Sequence, residues 1–142
     1  MNGKTKQLIE YLRGKKVILL TTSNRYAPHG ETPKSTQLAY QVQAELGSDC
    51  KLIDVPKLKI HHCEGNVSSV AGNNCGVKEA LLKNKGKNPT GLIRCWASVN
   101  NEDDELYKVA NAIFEADAVI FFISMRWGQA NAYYQKLIER LD

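Results

Sequence analysis

The sequence predicts an α/β protein built on an open, doubly wound parallel sheet with strand order 2-1-3. Two observations predict it. Residues 17–22, 50–55 and 118–124 are apolar on both faces rather than alternating, as strands are when helices cover both sides of a parallel sheet. Amphipathic helical stretches separate them, so the chain reads as strand, helix, strand with right-handed crossovers.

Each element follows from its own pattern. Residues 4–13 place Leu8, Ile9 and Leu12 on one side of a short helix ended by Gly14, within an N-terminal helical extension over residues 1–15. After the strand Val17-Ile18-Leu19-Leu20-Thr21-Thr22 comes a polar loop, residues 23–34, holding Gly30 and two prolines. Ser35 is placed to cap the next helix, where Leu38, Ala39, Val42 and Leu46 share a face before Gly47 closes it. Residues 56–101 form an irregular insert before the third strand. It contains Gly65-Asn66, Gly72-Asn73-Asn74, a short helix near residues 77–83 and a turn-rich stretch over 86–91. A helix over residues 101–116 follows, with the stripe Leu106, Val109, Ala110, Ile113 and Phe114. The acidic run Glu102, Asp103, Asp104 and Glu105 falls in its first turn, where the helix dipole favours negative charge, and no ligand is needed to explain it. The third strand leads through Met125-Arg126-Trp127-Gly128-Gln129 into a last helix with Ala130, Tyr133, Tyr134, Leu137, Ile138 and Leu141 on one face. That spacing makes the two tyrosines core rather than cofactor contacts.

Composition bounds the function. A chain of 142 residues, 43% hydrophobic and 24% charged, is one ordinary globular domain with a sizeable core. The net charge of +4 suits an anionic ligand and is too small to argue for nucleic acid. The longest apolar run, residues 118–123, is too short to cross a bilayer, and the first residues hold no hydrophobic signal core. The four cysteines therefore read as reduced thiols of a cytoplasmic protein. One feature is unusual: the uncharged third strand falls on a sheet edge, which invites pairing. Either the natural polypeptide continues past Asp142, with the two strands that would complete such a sheet, or another chain supplies the neighbour.

Ligands of such sheets bind beyond the carboxyl ends of the strands, and two loops occupy that position. The first carries Thr22, Ser23, Asn24 and Arg25, then Ser35, Thr36 and Gln37 at a helix start, the donors and dipole of a phosphate site without a P-loop. A long polar surface loop before a capped helix fits the same residues. Neither G-x-x-x-x-G-K-[ST] nor G-x-G-x-x-G occurs. The second loop sets Trp127 beside Gly128 with Met125, Arg126 and Gln129 around them, a flat apolar surface with donors suited to a planar heterocycle. From the residues alone, packing of Trp127 on the neighbouring helix is the simpler reading.

These segments resemble a known family. Thr21-Thr22-Ser23-Asn24-Arg25 after the first strand, with Ser35-Thr36-Gln37-Leu38 opening the helix, resembles the phosphate loop of flavodoxin-like NAD(P)H-dependent FMN reductases. Ala116-Asp117-Ala118-Val119-Ile120-Phe121-Phe122-Ile123-Ser124, followed by Met125-Arg126-Trp127-Gly128-Gln129-Ala130 and Lys136-Leu137-Ile138-Glu139-Arg140-Leu141, is similar to that family's third-strand block, the more specific of the two matches. The resemblance runs in order over residues 15–142. It implies a flavodoxin-like sheet whose fourth and fifth strands are missing from this chain. It implies FMN, its phosphate held by Ser23, Asn24, Arg25, Ser35, Thr36 and Gln37, with Met125, Arg126, Trp127, Gly128 and Gln129 bordering the ring. It further implies NAD(P)H as co-substrate, a small acceptor such as a quinone, azo or nitro compound or free flavin, no acid–base triad, and a homodimer. The family's phosphate loop is shorter and richer in glycine than residues 23–37.

Alternatives from other classes are a flavodoxin-like electron carrier, which the basic charge disfavours, and a non-enzymatic α/β binding or assembly module. Cys63, Cys75 and Cys95 in the insert are weak metal candidates, with His61 and His62 as possible co-ligands, because no two cysteines are closely spaced. Cys50 reads as core and His29 as solvated.

Overall fold

A computed structural model describes residues 3–24, 30–64, 68–69, 72–73, 84–93 and 95–141. The protein is α/β, with a three-stranded parallel sheet in the order 2-1-3 along the chain. Two compact units make it up: Met1–Lys57 with Ile113–Tyr134, and Leu58–Ala112 with Gln135–Asp142.

The first unit holds the sheet. Helix α1 (Gly3–Leu12) precedes the central strand β1 (Val17–Thr21), and α2 (Lys34–Leu46) crosses over to β2 (Cys50–Asp54). On the other side of β1 lies β5 (Ala118–Phe122), with Val17 registered on both Cys50 and Ala118. That register lines up alternate residues of all three strands. Leu12, Val17, Leu19, Val42 and Cys50 form a buried cluster, with Leu46, Leu52, Ala118, Ile120 and Phe122 packed against it. The opposite face is apolar too: Ile18, Leu20 and Ile53 are buried, and the Tyr134 ring meets Phe121 edge-on at 5.5 Å. The unalternating pattern of β1 is thereby explained, since both its faces are covered.

Helix α2 departs from expectation at its start. Its N-cap is Pro33, and no side chain caps it, so Ser35 sits inside the first turn rather than before it. Proline fits there because its fixed φ suits a helix entry and it has no N–H to satisfy. Leu38 is also more exposed than its assigned face implies, at 42%. Gly47 closes the helix as expected: it adopts φ +76, which disfavours a Cβ, and its N–H returns to the Gln43 carbonyl.

In the second unit, two residue pairs, β3 (Ser68–Ser69) and β4 (Gly72–Asn73), run antiparallel. The helix expected near residues 77–83 lies outside the described residues. Turns do occupy the 86–91 stretch, where buried Asn88 clamps Ile93 by donating to its carbonyl and accepting from its N–H. A short helix, α3 (Trp96–Asn100), falls inside the segment expected to be irregular. Helix α4 (Leu106–Phe114) is shorter than the predicted 101–116, and the acidic run is not its first turn but a separate loop before it. The reason is that these carboxylates are engaged elsewhere: Asp103 by Lys59 and His61, Asp104 by Arg140, and Glu105 by the Lys59 amide and Lys108. The dipole account of that run is therefore overturned.

The last segment also differs in detail. Residues Met125–Arg126 (β6) and Gln129–Ala130 (β7) form a hairpin rather than an open loop, and helix α5 spans Ala132–Leu141. Leu137 of α5 is buried as expected, but Arg140 is buried too, while Ile138 is 40% exposed. No helix among the described residues is long and apolar enough to cross a membrane.

Candidate functional site

In the first unit, parallel pairing brings the carboxyl ends of β1, β2 and β5 to one rim of the sheet. The α2 crossover must begin at that rim, because it connects the end of one parallel strand to the start of the next. Thr21, Thr22, Ser23 and Thr36 gather there at 0–2% exposure, an unusual concentration of buried hydroxyls.

Two of these hydroxyls have clear partners at the strand ends. The Thr21 hydroxyl donates to Asp54 Oδ1 at 2.8 Å, tying the ends of β1 and β2 together. Asp54 in turn pairs with Lys57 at 3.2 Å. The Thr22 amide donates to the Phe122 carbonyl, and its Oγ1 accepts from Asn131 Nδ2 at 3.0 Å. The same Asn131 amide donates to Ser124 Oγ at 2.9 Å, and Asn131 Oδ1 accepts the Tyr134 N–H, capping α5. One side chain thus joins the loop after β1, the loop after β5 and the start of α5. The two loops chosen from the sequence do meet at their bases.

Thr36 is different. Its Oγ1 is buried and has no hydrogen-bond partner among the described residues. It lies in the first turn of α2, where the amides of Lys34, Ser35 and Thr36 have no intrahelical acceptor. A buried hydroxyl left unpaired beside open amides is costly unless something completes it. Gln37 points its amide elsewhere, donating to the Thr32 carbonyl at 2.7 Å. Ser35 is half-buried and Asn24 exposed. Arg25, and with it His29, lies outside the described residues.

At the other loop, Met125, Arg126, Trp127, Gly128 and Gln129 are all exposed. Trp127 and Gly128 form the two-residue turn of the β6–β7 hairpin, with φ +52 and +76, the positive values of a type I′ turn. Tryptophan rarely adopts that conformation, and Trp127 is 99% exposed, so its packing on the neighbouring helix is overturned. A strained turn holds a large aromatic ring clear of the protein surface.

The second unit contains a separate polar cluster that the sequence reading missed. Arg140 uses all five guanidinium N–H groups: to both carboxylate oxygens of Asp104, to the His61 carbonyl, to Ser98 Oγ and to Cys95 Sγ at 3.2 Å. Burial acts to raise the Asp104 carboxyl, but hydrogen bonds from Arg140, the His61 amide and the Ser98 hydroxyl outweigh it and hold it below the ordinary carboxylate range. The pair is closed and fully satisfied. It is built as a structural clamp. Cys50 is buried in the core, as its sequence position implied, and burial pushes its thiol up. Among the described residues Cys63 and Cys95 form no disulfide, and no group of three or more His, Cys, Asp or Glu is arranged to hold a metal ion. Cys75 lies outside the described residues.

Asn131 was the residue to find at the rim. Its signal was present, because an Asn directly before a helical stripe is a cap candidate. Its reach back to Thr22 had none. Comparison with known proteins returned no family model, no characterised protein and no solved structure that matches the chain.

Proposed function

We propose that the protein is a flavodoxin-like, FMN-dependent oxidoreductase that passes a hydride from NAD(P)H through bound flavin to a small acceptor. The observation that carries this reading is the buried Thr36 Oγ1, without a hydrogen-bond partner among the described residues, in the first turn of α2, on the rim where Asn131 joins the two loops. These groups fit the terminal phosphate of FMN: hydroxyl and amide donors, a helix dipole and no competing carboxylate in the first turn of α2. Ser23, Asn24, Ser35 and Thr36, with Arg25, are the residues proposed to hold that phosphate, while Gln37, whose amide is turned to the Thr32 carbonyl, is dropped from that set. Met125, Arg126, Trp127, Gly128 and Gln129 are proposed to border the ring, the exposed Trp127 offering it an apolar face.

Bound flavin supplies hydride acceptance and electron donation. The chain supplies position and electrostatics: the α2 terminus neutralises the phosphate, and the Thr22–Asn131–Ser124 bonds fix the spacing of the two loops. The test is an FMN titration followed by quenching of flavin fluorescence, with NAD(P)H consumption measured in the presence of a quinone. Saturable quenching and FMN-dependent consumption are expected. Absence of quenching refutes the reading, and quenching without consumption reduces it to an electron carrier.

A further inference from the structure

Helix α1 and the turn after it concentrate the charge of the chain. Residues 4–16 hold the cations Lys4, Lys6, Arg13, Lys15 and Lys16 against one acid, Glu10. That segment carries the whole net charge of +4, and the remaining residues balance to zero. Lys57, Lys59, Lys108 and Arg140 each meet a carboxylate, but among the described residues none of these five cations does. Lys6 and Arg13 pair with Glu10 neither one turn before it nor one turn after. Apolar surface lies among the cations. Ile9 and Leu12 are buried, but Leu8, expected on their side, is 47% exposed and Tyr11 is 70% exposed. Lys4, Leu8 and Tyr11, four and three positions apart, form one stripe along the helix. Lys15 extends it, its Nζ lying 3.3 Å from the centre of the Tyr11 ring.

We propose that this face of α1 docks the protein on an anionic lipid bilayer. Unpaired cations select an anionic partner, and the apolar residues select which one. A nucleic-acid backbone offers phosphates and nothing apolar to Leu8. An anionic bilayer offers both: lysine and arginine heads stay among the headgroups while a leucine and a tyrosine ring reach the acyl boundary. Attachment of this kind is peripheral and reversible. It is independent of the flavin reading, and its test contains no flavin.

The whole chain is sedimented with vesicles of equal parts phosphatidylserine and phosphatidylcholine, and with phosphatidylcholine alone. Binding to the first and not the second is expected, with release at high salt. Lys4→Gln and Lys6→Gln, at exposed sites, are each expected to weaken binding about fivefold. Leu8→Gln with Tyr11→Gln is expected to weaken it about tenfold. Lys51→Gln is the control: it removes the same charge from an exposed site in register with Ile18, on the sheet face away from the Leu12 cluster, and is expected to leave binding unchanged. Absence of binding, or equal binding to neutral vesicles, overturns the proposal. So does a Lys51→Gln loss as large as that of Lys4→Gln, a Leu8 and Tyr11 variant that binds like the parent, or duplex DNA bound as tightly as the anionic vesicles.

Discussion

Asn131 Nδ2 lies 3.0 Å from Thr22 Oγ1, although 109 positions separate the two residues in the chain. The same side chain caps α5 through the Tyr134 amide. Asn131→Ala is expected to lose both functions and destabilise the protein by about 2–3 kcal/mol. Asn131→Ser keeps a capping oxygen without the reach to Thr22, and is expected to lose about half as much. Urea unfolding of the three proteins separates cap from tie.

The Asp104–Arg140 pair is fully buried on both sides. Asp104→Asn leaves a guanidinium without its counter-charge and is expected to cost about 3–5 kcal/mol. Replacing both partners by apolar residues, Asp104→Leu with Arg140→Met, is expected to cost clearly less than the sum of the single changes. A double-mutant cycle in urea measures the difference.

Acid should loosen the same clamp. The folded-state carboxyl of Asp104 titrates below its ordinary value, so its stabilisation is fully present above the unfolded value of about 4. It is lost as pH falls through the lower folded value. Asp103, bonded by Lys59 and then His61, shifts the same way, as does Glu105 beside Lys108. Urea midpoints are expected to hold from pH 7 to about 5 and fall steeply below 4, with a shallower fall in Asp104→Asn.

Thr36→Val removes the buried hydroxyl that has no partner among the described residues, while keeping its shape. Without ligand the variant is expected to match or exceed the parent's stability, by up to about 1–3 kcal/mol, since an unsatisfied buried group is deleted. FMN affinity is expected to drop about tenfold. Thermal melts and fluorescence titration read the two effects separately.

Trp127→Asn puts a residue tolerant of positive φ at the hairpin turn. It is expected to raise stability by about 1 kcal/mol, because the left-handed strain is relieved and a ring that is 99% exposed contributes no packing. Weaker FMN binding by the same variant would follow from the proposed ring contact. Unchanged binding would remove Trp127 from that role.

Much of the fold was legible because local pattern and burial agree in it. Residues 17–20 are apolar at every position, and only a central strand buries both faces in that way; β1 sits there, with β2 and β5 beside it. The hairpin at 125–130 was less legible, since Trp-Gly lacks the Asn or Asp that marks a type I′ turn. The acidic run misled because dipole complementation explains such residues equally well from sequence. Its true partners, Lys59, His61 and Arg140, stand far along the chain.

The sequence by itself determined the strands, the crossover helix and the strand order, because hydrophobic period and connection handedness are properties of neighbouring residues. Only the tertiary structure decided that Asn131 reaches Thr22, that Arg140 is buried on Asp104, that Thr36 Oγ1 finds no partner among the described residues and that Trp127 stands clear of the surface. Those outcomes depend on which distant groups compete for the same donors and acceptors. Chain folding settles that competition, and no window of adjacent residues encodes it.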